Sequence, residues 1–398
     1  MPLRYNYRIY PTPEQCVQLG QTFGCVRFVY NWGLALRSKG WKDGRRIGYP
    51  ETDRLLTQLK KEPERIWLNE VSSVPLQQSL RHLQTAFVNF FDKRAGYPTF
   101  KKKDGHQSAD YTKSAFNFDP ATRTFKLAKI GALKVKWSRK LPADPSSVTI
   151  SRNATGQYFA SFVVAVPEVH LEKTGEAVGI DFGVARLATL STGERIANPK
   201  YGSKYASRLA TLQRRLARKQ KGSNGRYRAR VAVAKLHQKI LNCRKDVIEK
   251  FTTDMVRRFD TLCIEDLNLR GMVKNHCLAR SLHDAAIGMA SRSLEQKGAR
   301  YGKAVVKIDR WFPSSKLCSG CGHLLANLPL QVRDWTCPSC GVRHDRDENA
   351  AGNILAVGQT VTASGGGVRA KRTSVRGAGP RRSSNLQRGL SPAGIPSL

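Results

Sequence analysis

Four cysteines constrain this chain more tightly than any other feature. Cys318, Cys321, Cys337 and Cys340 fall as C-x-x-C, fifteen residues, C-x-x-C, a spacing that wraps four thiolates round one tetrahedral Zn²⁺. Gly320, Gly322 and Gly341 suit tight turns at the two knuckles. Four thiolates leave no open coordination position, so one structural zinc is expected, holding a fold together without activating water. Any catalysis must come from elsewhere. His323 and His344 read as ordinary surface residues beside this ribbon, and Cys16, Cys25, Cys243, Cys263 and Cys277 lack metal spacing and read as core or neutral positions. Nine cysteines are an odd number, which with the metal spacing favours a reducing compartment over a disulfide framework. Residues 1–10 alternate Tyr5, Tyr7 and Ile9 with polar positions, as a strand does and a signal peptide does not. A cytoplasmic protein is expected.

The 398 residues allow two to three folded units. Lys and Arg number 68 against 30 Asp and Glu, a formal net charge of +38. Such an excess repels itself on compaction, and a polyanionic partner relieves it by releasing counterions on binding. Nucleic acid is the expected partner. Hydrophobic residues make up 40% of the chain, enough for a buried core. The longest clean apolar run, near 162–166, is far below the ~20 residues that cross a bilayer, so no membrane segment is expected.

After the opening strand, Pro11 to Glu14 supplies a helix start. A second helix is predicted near 52–61, and a third from Ser73 with Pro75 in its first turn, where Leu76, Leu80, Leu83, Phe87 and Phe90 share one face. Residues 13–104 thus read as a helical module ending in an aromatic and basic loop with Lys101, Lys102 and Lys103. Short alternating runs around Phe125, 134–137, 148–151 and 158–166 predict strands which, with residues 1–12, close a small β-barrel over 105–172. A boundary falls near 168–176. Between Lys200 and Lys250, 16 Lys or Arg stand against two acids, predicting a basic helical hairpin that turns at Gly222 to Gly225. Residues 358–398 hold eight Gly, seven Lys or Arg and no acid, and read as a flexible basic tail.

Three carboxylates lie at the edges of apolar runs: Asp181 after Val178-Gly179-Ile180, Glu265 after Leu262-Cys263-Ile264, and Asp347 opening Asp347-Glu348-Asn349-Ala350-Ala351. Hard oxygens from separate elements suit Mg²⁺, and two such ions can drive phosphodiester hydrolysis. Each acid also suits a structural role, with Asp347 capping a helix, Asp181 serving a turn and Glu265 pairing with Lys or Arg. Asp181-Phe182-Gly183 mimics a kinase magnesium motif, but no Gly-rich phosphate loop with its strand lysine accompanies it.

These motifs in order, Val178-Gly179-Ile180-Asp181-Phe182-Gly183, Ile264-Glu265-Asp266-Leu267, Phe312-Pro313-Ser314-Ser315-Lys316-Leu317-Cys318 and His344-Asp345-Arg346-Asp347-Glu348-Asn349-Ala350-Ala351, resemble TnpB. TnpB proteins are encoded by bacterial and archaeal insertion sequences and are compact relatives of type V CRISPR effector nucleases. Arg27-Phe28-Val29-Tyr30-Asn31 and Tyr97-Pro98-Thr99-Phe100-Lys101 extend the resemblance into the first half of the chain.

The resemblance implies a multidomain α/β plus β-barrel fold. A wedge-like barrel (1–12 and 105–172) would carry the helical recognition module (13–104). A RuvC-like nuclease domain with an RNase H-like fold (173–316 and 341–357) would carry a zinc-ribbon insertion (317–340), followed by the tail. It implies Asp181, Glu265 and Asp347 as catalytic ligands of two Mg²⁺ ions, with Asp345 the weaker choice for third acid, and an RNA-guided DNA endonuclease. The partners implied are a guide RNA from the transposon end and a double-stranded DNA target flanked by a short motif read by the protein, with a monomer in the RNA complex. Gln77, Gln78 and Arg81 are candidate motif readers because polar groups near a helix start reach base edges, though a solvent-facing role suits them equally; Lys101, Lys102 and Lys103 are candidate backbone contacts. Two other classes fit the same residues: a basic zinc-bearing nucleic-acid-binding regulator that does not cut, and a transposase that joins DNA with the same two-metal chemistry.

Overall fold

A computed structural model describes residues 1–329 and 331–363. The first half opens with strand β1 (Pro2–Tyr10) and helices α1 (Pro13–Lys42), α2 (Tyr49–Leu59) and, after a 3₁₀ turn at Pro63–Asn69, α3 (Ser73–Phe91). Thr12 starts α1 with a capping box: its hydroxyl accepts from the Gln15 N–H while the Gln15 side chain accepts from the Thr12 N–H. Strands follow: β2 (Gln107–Thr112), β3 (Phe116–Asp119), β4 (Thr124–Leu127), β5 (Gly131–Ala132), β6 (Lys134–Lys136), β7 (Pro145–Arg152) and β8 (Tyr158–Ala165).

Hydrogen bonding divides these strands between an antiparallel sheet in the order β2-β7-β8-β1-β6 and a small sheet β3-β4-β5. Chain continuity joins the two sheets twice. Only Leu133 separates β5 from β6, and a single 3₁₀ turn at Lys113–Ala115 separates β2 from β3. Tyr7, Ile9, Phe125, Ile150 and Phe162 from the strands share one core with Leu19, Val26, Leu76 and Leu80 from the helices, so the helical insertion packs on the sheets.

The second half contains β9 (Ala177–Phe182), β10 (Arg186–Leu190), β11 (Arg195–Ala197), α4 (Tyr201–Lys204), α5 (Ala206–Ala217), α6 (Asn224–Arg258), β12 (Thr261–Glu265), α7 (Leu269–Met272), α8 (His276–Ala285), α9 (Ile287–Tyr301), β13 (Ala304–Ile308), β14 (Asp334–Thr336), β15 (Arg343–Asp345) and α10 (Arg346–Ala363). Its main sheet has the order β11-β10-β9-β12-β13, antiparallel from β11 to β9 and parallel from β9 to β13. One face buries Val178, Ile180, Leu262 and Ile264 against Ile248, Phe251, Met255, Ala290 and Leu294 of α6 and α9. Helix α10 covers the other face, where Ile354 packs with Cys263 and Ile308.

Three expectations change. Gly225 lies in the first turn of α6, capped by Ser223, so the basic hairpin turns at 218–223. The boundary expected at 340 falls inside a hairpin, because β15 pairs with β14 across it. Helix α10 runs to Ala363, so residues 358–363 are helical and not the start of a flexible tail; packing of Gly358 on Cys263 holds that turn to the sheet. The remainder of the tail, 364–398, lies outside the described residues. No helix among the described residues is long and apolar enough to cross a membrane.

Candidate active site

Strand register places the first two acids. β9 and β12 pair in parallel with Cys263 opposite Gly179 and Ile264 opposite Ile180, and the next step brings Glu265 level with Asp181 at the ends of adjacent strands. Alternation puts Gly179, Asp181, Cys263 and Glu265 on the sheet face covered by α10. The helix lies so close that a Cβ on Gly179 would collide with the Ala351 carbonyl oxygen and sit 2.7 Å from the Leu355 N. Asp347 is one helical turn before Ala351, as Asp181 is two strand residues after Gly179. A missing side chain at 179 therefore lets the helix deliver the third acid to the other two.

Charge on this group is held in check. Burial raises the proton affinity of Asp181 well above the ordinary carboxylate range, and the neighbouring charges of Glu265 and Asp347 add to it, against a smaller opposing effect of Arg346 and Arg333. Burial raises Glu265 too, opposed by a hydrogen bond donated from the Ser314 hydroxyl. Arg333 of the ribbon reaches Asp347 at 3.1 Å, and Arg186 lies 3.9 Å from it. Three hard-oxygen donors, two of them buried, suit divalent cations, although the carboxylates are not gathered as tightly as the cysteines among the described residues.

Asp345 does a different job. Its Oδ1 accepts from the Asp347 and Glu348 N–H groups at 2.9 and 3.1 Å, closing the N-terminus of α10, and its Oδ2 pairs with Arg195 at 2.8 Å and Arg186 at 3.6 Å. Burial alone would raise its pKa, but those N–H groups and arginines hold it below the ordinary range. The capping role open to Asp347 in the sequence is thus filled by Asp345.

The four cysteine Sγ atoms lie within 4.8 Å of one another. Both knuckles repeat one pattern. The Cys318 and Cys337 N–H groups donate to the carbonyls of His323 and Val342, and the Gly322 and Gly341 N–H groups donate back to Cys318 and Cys337. Gly322 and Gly341 both have φ of +74°, which only glycine adopts freely; Gly320 does not share it. Burial opposes ionisation of Cys337, yet the N–H groups of Cys340 and Ser339 and the adjoining thiols outweigh it and hold the thiol at about 6. The donor set fits zinc. His344 is buried, not at the surface: its ring lies tilted against Trp335, centres 4.7 Å apart, and Nε2 lies 3.1 Å from Cys318 Sγ. An outer hydrogen bond to a ligand sulfur accounts for that burial.

Sequence reasoning assigned no role to Asn349 and Asn353. Both are buried on α10, both donate to the carbonyls of Ser314 and Leu317, and Asn349 accepts from the Ser319 N–H at 2.9 Å. They tie the loop carrying Ser314 and Cys318 to the helix carrying Asp347. Two asparagines four apart in an apolar helix were the available signal.

The residues expected to contact nucleic acid lie on α3 and on the loop after it. Gln77 and Gln78 are half-buried on α3, while Arg81 donates to the Tyr49 hydroxyl at 3.0 Å and packs over its ring. Lys101 exchanges two hydrogen bonds with the Asn31 side chain and sets its Nζ 4.1 Å from the Tyr30 ring centre. Lys102 and Lys103 are exposed.

A family model described as Probable transposase matches residues 161–276, one described as Cas12f1-like, TNB domain matches 288–354, and one described as Helix-turn-helix domain matches 1–46. The last segment folds here as one strand and one continuous helix. A Streptomyces pristinaespiralis protein provisionally named RNA-guided DNA endonuclease is 48% identical over 99% of this chain and 98% of its own length. InsQ of Escherichia coli (strain K12), provisionally named the same way, is 31% identical over 91% of this chain and 93% of its own. The fold resembles the protein in the cryo-EM structure of the Cas12f1-sgRNA-target DNA complex, with a TM-score of 0.55 at 15% identity, covering 86% of this chain and 83% of that one. With identity sustained over almost the whole of two relatives, and with its motifs seated as described, the chain belongs to the TnpB family.

Proposed function

We propose that this chain is an RNA-guided DNA endonuclease of an insertion sequence, and that Asp181, Glu265 and Asp347 form its cutting centre. The observation that carries the reading is the meeting of those three carboxylates at one end of one sheet face, in a chain of net charge +38. The mixed five-stranded sheet, antiparallel from β11 to β9 and parallel from β9 to β13, supports an RNase H-like, RuvC-like domain over 173–316 and 341–357. The two joined sheets of the first half support a wedge-like barrel with the helices as its recognition insertion, and the paired knuckles support a zinc ribbon.

Asp181, Glu265 and Asp347 would hold two Mg²⁺ ions, which when bound supply water activation and charge stabilisation on the leaving oxygen. The chain's own residues set the stage. Ser314 fixes the Glu265 carboxylate by its hydroxyl, Asn349 and Asn353 fix Ser314, and Asp345 spends its charge on the helix terminus so that Asp347 keeps a carboxylate for the site. Lys and Arg surfaces would bind the guide RNA, whose pairing selects the DNA target.

The deciding experiment is to sequence the RNA that co-purifies with the chain and then to incubate the complex with Mg²⁺ and DNA matching that RNA. Cut DNA, lost in Glu265→Gln while RNA binding persists, supports the reading. Covalently joined strand products would instead identify a transposase, and intact DNA a binding protein that does not cut.

A further inference from the structure

Trp311 is 85% exposed, the most exposed large hydrophobic side chain among the described residues. A solvent-facing indole forgoes the gain of apolar burial, and hydrogen bonds define the turn that presents it. The Trp311 N–H donates to Asp309 Oδ1 at 2.8 Å, the Phe312 N–H donates to the Asp309 carbonyl at 3.1 Å, and Pro313 follows. Phe312 packs inward with Cys263, Ile308 and Ile354 while its neighbour points out. The turn's position is equally specific. Arg310 pairs with Asp266, the residue after Glu265, and Ser314, three residues after Trp311, hydrogen-bonds Glu265 itself.

Beside Glu265 and Asp266 opens a cleft of about 190 Å³ with apolar walls from Phe182, Leu267 and Ile287. Its cations are Lys307, engaged with Glu295 at 2.6 Å, and the exposed Arg292. An outward indole on the turn between Arg310, paired with Asp266, and Ser314, bonded to Glu265, with a cleft of mixed charge alongside that carries an exposed guanidinium, has the chemistry of a one-base platform. Stacking on an aromatic face tolerates any base, and a guanidinium holds a neighbouring phosphate.

We propose that Trp311 stacks on an unpaired base of the DNA strand entering the site, next to the scissile phosphate, and so sets the phosphate over Asp181, Glu265 and Asp347. This rests on the nuclease reading for its purpose but not for its test. Duplex bases are stacked on one another and present no free face, so the occupant is single-stranded. Trp311 is a positioning residue: its loss raises the strand concentration needed for half-maximal cleavage and leaves the saturated rate near that of the parent.

The test uses the full chain with its co-purified RNA, carrying Glu265→Gln so that the strand stays whole, and single-stranded DNA substituted with 5-iododeoxyuridine, which crosslinks to a stacked aromatic ring on irradiation. A crosslink mapped by mass spectrometry to Trp311, abolished by Trp311→Ala and retained by Trp311→Phe, is the expected result. In the cutting-competent chain, Trp311→Ala should weaken strand use about ten- to a hundredfold with an unchanged melting temperature. Crosslinks that map elsewhere, or cleavage unaffected by Trp311→Ala, overturn the platform and leave the nuclease reading standing. A crosslink at Trp311 in a chain that cuts no DNA overturns the nuclease reading and leaves the platform.

Discussion

The choice between two carboxylates two residues apart shows how a side chain's role follows from its hydrogen bonds. Asp345 and Asp347 flank the start of α10, and either suits an N-terminal cap on residue type alone. The structure gives both capping hydrogen bonds to Asp345 and leaves Asp347 facing Asp181, with arginines for company. The two substitutions should therefore separate. Asp345→Ala removes a cap and the partner of Arg195, and should lower stability by about 1–2 kcal/mol in thermal melts, with cleavage reduced only as far as the helix start loosens. Asp347→Asn relieves like-charge crowding on Asp181, so melting should hold or rise slightly, while cleavage should drop on the order of a thousandfold, as the loss of several kcal/mol of transition-state stabilisation requires. Equal loss of cleavage in both, at equal stability, would contradict the division of labour.

At the level of elements, the legible parts were those whose signal is local. Apolar spacing on α3, alternation in β8, the capped start of α1 and the two cysteine pairs all announce themselves within a few residues. The stretch from 266 to 308, with α7, α8, α9 and the edge strand β13, carried no such announcement, because its helices bury narrow faces against α6 and the sheet and otherwise read as polar loops. The acids were legible singly from the residues, and as neighbours only through the family resemblance, since the close approach of α10 to β9 joins segments far apart in sequence. That contact turns on Gly179, and Gly179→Ala tests it: the added methyl meets backbone, which cannot swing aside as a side-chain tip can. Stability should fall by about 1–3 kcal/mol and cleavage should fall further than that alone explains, because the helix is displaced with Asp347 on it. The ribbon makes the parallel case for a metal-held element. Cys318→Ser should abolish stoichiometric zinc in the purified chain and lower the melting temperature of the second half; zinc retained at one per chain would remove Cys318 from the ligand set.

Across the whole molecule, two halves with separate cores meet through residues 166–176, which have no regular structure. This connection is pinned. Asp260 Oδ2 accepts from the Thr174 and Gly175 N–H groups at 2.9 and 2.7 Å, and Lys303 Nζ donates to Asp260 Oδ1 at 2.5 Å and to the Glu172 carbonyl at 2.7 Å. The Lys303 side chain is 1% exposed, so the ion pair is shielded from solvent on the lysine side. The Lys303 hydrogen bond first, and then the two N–H groups, overcome the effect of burial and hold Asp260 at about 2. A folded-state pKa below the ordinary value of about 3.9 stabilises the fold above that value, and the contribution drains away as pH falls from about 4 towards 2. Asp260→Asn strands a buried ammonium and should lower stability by about 2–4 kcal/mol at neutral pH. Melting curves for parent and variant should then converge as the pH is lowered through that window, because protonation removes from the parent what the substitution has already removed from the variant. Self-repulsion of a chain at +38 grows in acid for both alike, so the difference between them isolates the carboxylate. A gap that stays constant down to pH 2 would mean that the Asp260 charge does not hold the connection.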